Sequence, residues 1–447
     1  MAHYDKFIFE SFKLDPKTRT ITLNYSLDGQ VHFSEVFTLS EDLPLNVNHP
    51  DLNSALFALH LSGGVSYYKT YCPKIIEVRS GQLNKAQAAF WNKLYTDGLG
   101  QFFYENQLDF RGLINFPVTS TTETKHPGAN TPKPPTKALL PFGGGKDSVV
   151  TSELLRSAGI NQTLFRLRRH KLITKLASIA NLPIIEIDRA LAPELFELNK
   201  TDAYNGHVPI TAHISFLSIV VGLLAGYDSV FFSNERSSSY GSVDYLGMEV
   251  NHQWSKGLEA ETMLANYMQE FITHDFQYLN VVRPLSELHI ARLFSQHPQY
   301  FDTATSCNRN WVLTERDSDA PRWCGTCPKC AFSFALFAAF LPSATVASMF
   351  GQNLFENANL LPLYRELWGM EGFKPFECVG TPGEAQAALY LASNKAGFAG
   401  TVVMNEFSKR VLPTMKNPEA LVQELLTPDT SDASSTVTNI LKKAQIL

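Results

Sequence analysis

Residues 139–150 read LLPFGGGKDSVV: a short apolar run, three consecutive glycines, then lysine, aspartate and serine. ALLPF (138–142) has the composition of a strand, and from 147 to 158 Val149, Val150, Leu154 and Leu155 recur at helical spacing. The glycines therefore sit between a strand and a helix. There they let backbone N–H groups approach an anion closely, and the helix N-terminus adds partial positive charge. Lys146 can neutralise a phosphate and Ser148 can donate to it, while Asp147 suits a Mg²⁺ ion or a helix cap. Gly143, Gly144, Gly145, Lys146, Asp147 and Ser148 are thus candidate cofactor-binding residues. The Walker A pattern is not met, because Gly-Lys is followed by Asp. The alternative is a glycine-rich turn with no ligand.

Downstream, strand and helix patterns alternate. TLFRL (163–167), PIIEID (183–188), DSVFFSN (228–234) and FQYLNVVRPL (276–285) read as strands. KLITKLASIA (171–180), PITAHISFLSIVVGLLAG (209–226) and LEAETMLANYMQEFI (258–272) read as helices. This alternation predicts an α/β fold with a doubly wound, parallel, five-stranded sheet and a ligand at the carboxyl ends of its strands. Upstream, KTRTITLNYSLDG and VHFSEVFTL read as a hairpin turning at Asp28-Gly29, followed by helical segments interrupted by glycines. The expected organisation is an α+β N-terminal domain (1–117), a Thr/Pro-rich linker or loop (118–137), a nucleotide-binding domain (138–300), a cysteine-cluster helical region (301–427) and a loose tail with a short terminal helix (428–447). CAFSFALFAAFLP (330–342) is too short to span a bilayer and reads as a buried helix.

The net charge is −5, from 38 basic and 43 acidic residues in 447, which argues against a nucleic-acid partner. No apolar signal region opens the chain and no membrane partner is expected, so a cytoplasmic, reduced setting is expected for its six cysteines. Cys307 and WCGTCPKC, which carries Cys324, Cys327 and Cys330, supply four thiolates at metal-site spacing. Zn²⁺ is the expected metal, with an iron–sulfur cluster or unliganded thiols as alternatives. Cys72 and Cys378 stand apart. Either could be a proton-transfer thiol or an ordinary packed cysteine. SNERSSSYGSVDYLGMEVNHQWSKG (233–257) follows a strand's carboxyl end and is dense in polar and aromatic groups, including Glu235, Arg236, Asn251, His252 and Lys256. It is either a functional loop or a solvated one.

GGGKDS resembles the pyrophosphatase loop of the PP-loop ATPases, usually SGGxDS, with Gly143 in place of the first serine. That resemblance implies a fold of PP-loop type, with cleavage of ATP between its α and β phosphates and adenylated intermediates. Cysteine knuckles like this one occur beside the PP-loop domain in the deazaguanine-forming enzymes. A narrower resemblance rests on GVSYYK (64–69), LPFGGGKDS (140–148), LAPELFELN (191–199), NGHVPITA (205–212), FSNERSSSYG (232–241), EVNHQWSKG (249–257), RPLSELHIAR (283–292), SCNRNW (306–311), RWCGTCPKC (322–330) and KPFECVG (374–380). Together these are similar to the UDP-N-acetyl-α-D-muramoyl-L-alanyl-L-glutamate epimerases. One stretch departs from the expected pattern: FRLRRHKLITKLA (165–177) is unusually basic where a polar turn at the nucleotide is expected.

The resemblance implies an ATP- and Mg²⁺-dependent isomerase. It would invert the terminal glutamate of a UDP-muramoyl dipeptide through an adenylated carboxylate, releasing AMP and pyrophosphate in peptidoglycan precursor synthesis. In that setting Glu235 and Arg236 complete the ATP site. His207, Tyr240, Asn251, His252 and Lys256 meet substrate or do acid/base work, and Cys378 is a further catalytic candidate. A histidine of near-neutral pKa would suit proton abstraction. The competing expectations are another PP-loop pyrophosphatase (an amidating ligase or tRNA-modifying sulfurtransferase) and a zinc-stabilised scaffold without catalysis.

Overall fold

The computed structural model of the chain describes residues 3–121, 134–311 and 320–447. Among the described residues the strands are β1 (Lys6–Asp15), β2 (Thr20–Leu27), β3 (Val31–Thr38), β4 (Ile75–Val78), β5 (Lys137–Pro141), β6 (Asn161–Leu167), β7 (Ile184–Ala190), β8 (Ser229–Phe232), β9 (Val243–Tyr245), β10 (Met248–Val250) and β11 (Gln277–Asn280). Nine of them form one sheet in the order β11-β8-β5-β6-β7-β3-β2-β1-β4, while β9 and β10 form a separate hairpin.

The five strands from β11 to β7 are mutually parallel. Their residues alternate between two cores, as the two-residue period of a strand requires. Ala138, Leu140, Leu164 and Phe231 pack on one side, and Leu139, Phe165, Val230 and Phe232 on the other. A sheet buried on both faces needs helices on both. Lys146–Ser157, Lys171–Ala180 and the C-terminal helices cover the first face. Ile210–Ala225, Leu258–Phe271 and the N-terminal helix Leu52–Gly63 cover the second. The Ile210–Ala225 helix is apolar almost all round because it lies between the sheet and the Leu52–Gly63 helix. The chain runs outward from β5 to β7 and then returns to β8 on the other side of β5. That reversal opens a crevice at the carboxyl ends of β5 and β8.

The N-terminal strands join this sheet rather than forming one of their own. The hairpin turn falls where the sequence predicts it. Asp28 and Gly29 both have positive φ, 52° and 68°, and Gln30 N–H donates to the Leu27 carbonyl at 2.9 Å, closing the three-residue connection between the paired Leu27 and Val31. At the far edge, Val36–Thr38 of β3 pairs antiparallel with Asp188–Ala190 of β7. Arg189 Nε donates to Glu35 Oε1 at 2.7 Å across this seam, where Glu35 is fully buried and Arg189 half-buried. No local signal announces a pairing between residues so distant in the chain. The expected linker lies mostly outside the described residues, since only 118–121 and 134–137 of it are seen.

The short terminal helix expected in the C-terminal tail is present as Ser435–Lys443, but it is docked rather than loose, with Val437, Ile440 and Leu441 buried. Their i, i+3, i+4 spacing is an apolar stripe, hidden in the sequence by the polar residues before it.

Candidate active site

A cleft of about 700 Å³ opens at the carboxyl ends of β5 and β8. From β5 the lining takes Gly143, Gly145, Asp147 and Ser148; from β8 it takes Ser233 and Asn234. His207, His252, Lys256 and Cys378 complete the part that concerns catalysis. Gly144 lies behind this surface with φ +76°, and a Cβ on it would fall 2.5 Å from Ile173 Cδ1. The loop is closed internally. Gly144 N–H donates to Ser148 Oγ at 3.1 Å, and Ser148 Oγ donates to the Gly145 carbonyl at 3.1 Å. The Lys146–Ser157 helix begins at Gly145 with no side-chain cap, and Gly145, Asp147 and Ser148 at its start line the cleft, an arrangement that suits an anion.

Beneath the glycines lies a cluster of charge. Lys146 Nζ donates to Asp147 Oδ1 at 2.6 Å and to Glu287 Oε2. Carboxylate oxygens of Asp147, Glu235 and Glu287 lie within 4.8 Å of one another. Burial works against a charged Lys146, but Asp147, Glu287 and Glu235 overcome it and hold the ammonium well above its ordinary range. Burial pushes the Glu287 carboxyl up, Lys146 opposes that, and Asp147 and Glu235 reinforce it. Glu235 is 2% exposed and its Oε1 has no hydrogen-bond partner. Three carboxyl groups around one ammonium, with a buried oxygen unpaired, fit a hard divalent cation. Glu287 was not among the sequence candidates. It is the first residue of the Glu287–Phe294 helix, capped by Ser286, and its N–H donates to Glu384 Oε1 at 2.7 Å. An acidic residue in a first helical turn is so common that nothing in sequence singles it out.

The acid/base groups line another part of the cleft. The rings of His207 and His252 lie 4.6 Å apart. Burial brings both down to about 3, each aided by Lys256. Burial thus holds both imidazoles neutral, below the near-neutral range expected of a histidine base. His252 Nδ1 is 2.6 Å from Gln101 Oε1, which can only accept, so Nε2 keeps a free lone pair. Cys378 Sγ lies 3.4 Å from Lys256 Nζ. Burial raises this thiol, but Lys256, Lys329 and Lys374 prevail and bring it to about 7. Cys72 lies outside the cleft lining, its thiol donating to the Lys69 carbonyl, and burial pushes it up to about 12.

Six sequence candidates other than the metal-site cysteines do not line the cleft: Gly144, Lys146 and Glu235 are buried beneath it, and Arg236, Tyr240 and Asn251 turn to other partners. The Arg236 charge acts on His289 and Asp429 instead. Tyr240 is largely exposed, and its carbonyl accepts from Lys374 Nζ at 3.0 Å. Asn251 spends both ends of its amide on the local turn, donating to the Ser238 carbonyl and accepting from Gln253 N–H. Polarity in a loop does not reveal which way a side chain points. The cationic wall comes instead from the basic stretch after β6. Arg166, Arg168, Arg169 and His170 line the cleft, with Arg166 4.7 Å from the Trp311 ring.

The four predicted metal-site cysteines converge beside the cleft, whose lining includes their chain neighbours Ser306, Asn308 and Lys329. Cys307 precedes a short 3₁₀ turn, Cys327 caps the Pro328–Ala338 helix, and Cys330 lies in its first turn. Their Sγ separations are 4.0 Å (307–327), 3.7 Å (324–330) and 3.5 Å (327–330). Tetrahedral Zn–S bonds of ~2.3 Å set sulfurs ~3.8 Å apart, so this cage fits zinc.

An uncapped helix start and a lysine-flanked thiol at one cleft, with a carboxylate cluster reaching it through Asp147, suit an enzyme, and comparison with known proteins makes it an enzyme of the epimerase type. Residues 1–281 match the MurL N-terminal domain, and residues 303–422 match the MurL C-terminal domain. The chain is 38% identical over 435 residues to the UDP-N-acetyl-α-D-muramoyl-L-alanyl-L-glutamate epimerase of Xanthomonas oryzae pv. oryzae, covering 95% of each chain. It is 37% identical to epimerases of the same name from a Micromonospora species (88% of each chain) and from Salinispora tropica (91% of this chain, 88% of the relative). The chain belongs to the MurL family, the UDP-N-acetyl-α-D-muramoyl-L-alanyl-L-glutamate epimerases.

Proposed function

We propose that this enzyme inverts the terminal L-glutamate of UDP-N-acetylmuramoyl-L-Ala-L-Glu to D-glutamate, using ATP to adenylate the glutamate α-carboxylate and releasing AMP and pyrophosphate. The product feeds peptidoglycan precursor synthesis. The observation that carries the reading is one cleft lined by the glycine loop and Asp147, which joins the buried Glu235 and Glu287, and also by Lys256, Cys378 and the two histidines. The relatives' name supplies the substrate.

The chemistry explains why the two belong together. An α-proton beside a carboxylate is poorly acidic, because its removal leaves a dianion. Adenylation removes that charge, and the α-carbon becomes as acidic as that of an ester. The residues divide accordingly. The glycine loop and the uncapped helix start, a loop of PP-loop type, bind the pyrophosphate portion of ATP. Lys146 and the arginines after β6 neutralise phosphate charge. Asp147, Glu235 and Glu287 would hold Mg²⁺, which supplies further neutralisation at the phosphates when bound. Cys307, Cys324, Cys327 and Cys330 would hold a structural Zn²⁺.

The deciding experiment incubates the enzyme with ATP, Mg²⁺ and the UDP-muramoyl dipeptide in D₂O. Pyrophosphate, D-glutamate in the product and deuterium at its α-carbon are expected together. Inversion without ATP would overturn the adenylation step. Pyrophosphate release without inversion would indicate a ligase lacking its second substrate.

A further inference from the structure

We propose that Cys378 is the group that removes the proton from the glutamate α-carbon, and that Lys256 positions it. The proposal rests on the adenylation reading for where the α-carbon lies. An adenylated carboxyl carbon sits against the α-phosphate, and the α-carbon is one bond further. Its base must therefore adjoin the phosphate and metal end of the cleft. Lys256 connects the two. It is half-buried, its Nζ contacts Cys378 Sγ at 3.4 Å, and its charge is also held by Glu235 and Asp147 of the carboxylate cluster.

A second observation points to a ligand at the same place. Gln253 is 1% exposed and lines the cleft. Its Nε2 donates at 3.4 Å to the carbonyl of Val379, the neighbour of Cys378, while its Oε1 has no hydrogen-bond partner. A buried acceptor without a donor is costly. The glutamate α-carbon carries an amide N–H, the donor that Gln253 Oε1 lacks. Gln253 would thus bind the nitrogen on the carbon that Cys378 deprotonates.

The rival bases are weaker on this page. His207 and His252 are held neutral with little basicity, and His252 is fixed through Gln101. Cys378, flanked by Lys256, Lys329 and Lys374, is substantially thiolate at neutral pH. In the step, the Cα–H bond breaks, its electron pair passes into the enolate of the acyl-adenylate, and the proton goes to Sγ. Water then protonates the opposite face of Cα. The hydroxide left behind takes the proton from Sγ, which restores the thiolate. Hydrolysis of the acyl–phosphate bond finally releases AMP.

The test uses the full chain with ATP, Mg²⁺ and the UDP-muramoyl dipeptide in D₂O. Cys378→Ala and Cys378→Ser should still release pyrophosphate, while α-deuterium incorporation and inversion fall by roughly 10²–10⁴-fold, the range for loss of an acid/base group. Circular dichroism checks that each variant folds. Independently, iodoacetamide alkylation of Cys378 in the unsubstituted enzyme, read by peptide mass, should be half-maximal near pH 7. In Lys256→Gln that midpoint should rise by about one unit or more, toward that of an ordinary thiol. Near-normal inversion in folded Cys378→Ala, or alkylation only above about pH 8.5, overturns the proposal. If the unsubstituted enzyme inverts glutamate without pyrophosphate, the adenylation reading fails instead, and loss of deuterium exchange in Cys378→Ala still decides the role of the thiol.

Discussion

Gly144→Ala tests whether the glycine loop is built as described. Two independent costs add at this position. The residue has φ +76°, and an alanine in the left-handed region costs ~1–2 kcal/mol. The new Cβ would also lie 2.5 Å from Ile173 Cδ1 and 3.3 Å from Leu176 Cδ1, both on the helix that packs over the loop. Forcing a methyl into such a core typically costs ~1–3 kcal/mol. The total is ~2–5 kcal/mol, large enough to displace the loop. Thermal melting and pyrophosphate release should both fall. The double variant Gly144→Ala/Ile173→Val separates the terms, because it removes the Cδ1 atom that is struck but leaves φ unchanged. Ile173→Val alone should cost ~0.5–1.5 kcal/mol. The double variant should therefore melt higher than the sum of the single effects predicts, while remaining below the unsubstituted enzyme. Strict additivity, or a Gly144→Ala enzyme with unchanged melting and turnover, would refute the assignment of Gly144 to a packed left-handed turn.

Glu287→Gln should raise the Mg²⁺ concentration needed for half-maximal pyrophosphate release about tenfold or more, since it takes one oxygen ligand's charge from the cluster with Asp147 and Glu235; an unchanged Mg²⁺ titration would remove Glu287 from the site. Cys324→Ser should lower the zinc content, measured by elemental analysis, from about one per chain and reduce the melting temperature, because a structural site contributes directly to folding; a zinc-free native enzyme would argue for packed thiols. Stability should also decline in acid through the β3–β7 seam. Burial raises the Glu35 carboxyl, but Arg189 and His213 prevail and bring it from 4.5 to about 2. A depressed carboxylate contributes stability that is complete above its unfolded pKa and lost as pH falls from about 4.5 through about 2, here about 3 kcal/mol. His213, also depressed by burial, acts in the same direction from about pH 6.5 downward. Glu35→Gln should flatten the melting temperature between pH 5 and 3, and an unaltered profile would exclude the seam as the acid-sensitive element.

Much of this enzyme was decided locally. LLPFGGGKDSVV specifies strand, turn and helix through short-range steric rules, and the alternation of apolar runs after it requires helices on both faces of a parallel sheet. The cysteines too are legible, because three of the four are held at fixed spacing within one turn-and-helix segment. Asp28-Gly29 needs only its own backbone preferences to set the hairpin. What the sequence leaves open are long-range meetings between residues that are unremarkable one by one. Val36 meets Ala190 and turns two expected units into one sheet. Glu287 meets Lys146, and Cys378 meets Lys256, across more than a hundred residues. Side-chain direction is equally hidden. Arg236, Tyr240 and Asn251 lie in the expected loop and turn away from the cleft, while Gln253 in the same loop turns in. Ionisation follows from these meetings, because a pKa is set by burial and by the charges that happen to be near. The sequence offers the histidines and Cys378 alike as acid/base candidates. Only the folded chain separates them, because it lowers the imidazoles by burial and brings the charge of three lysines to the thiol.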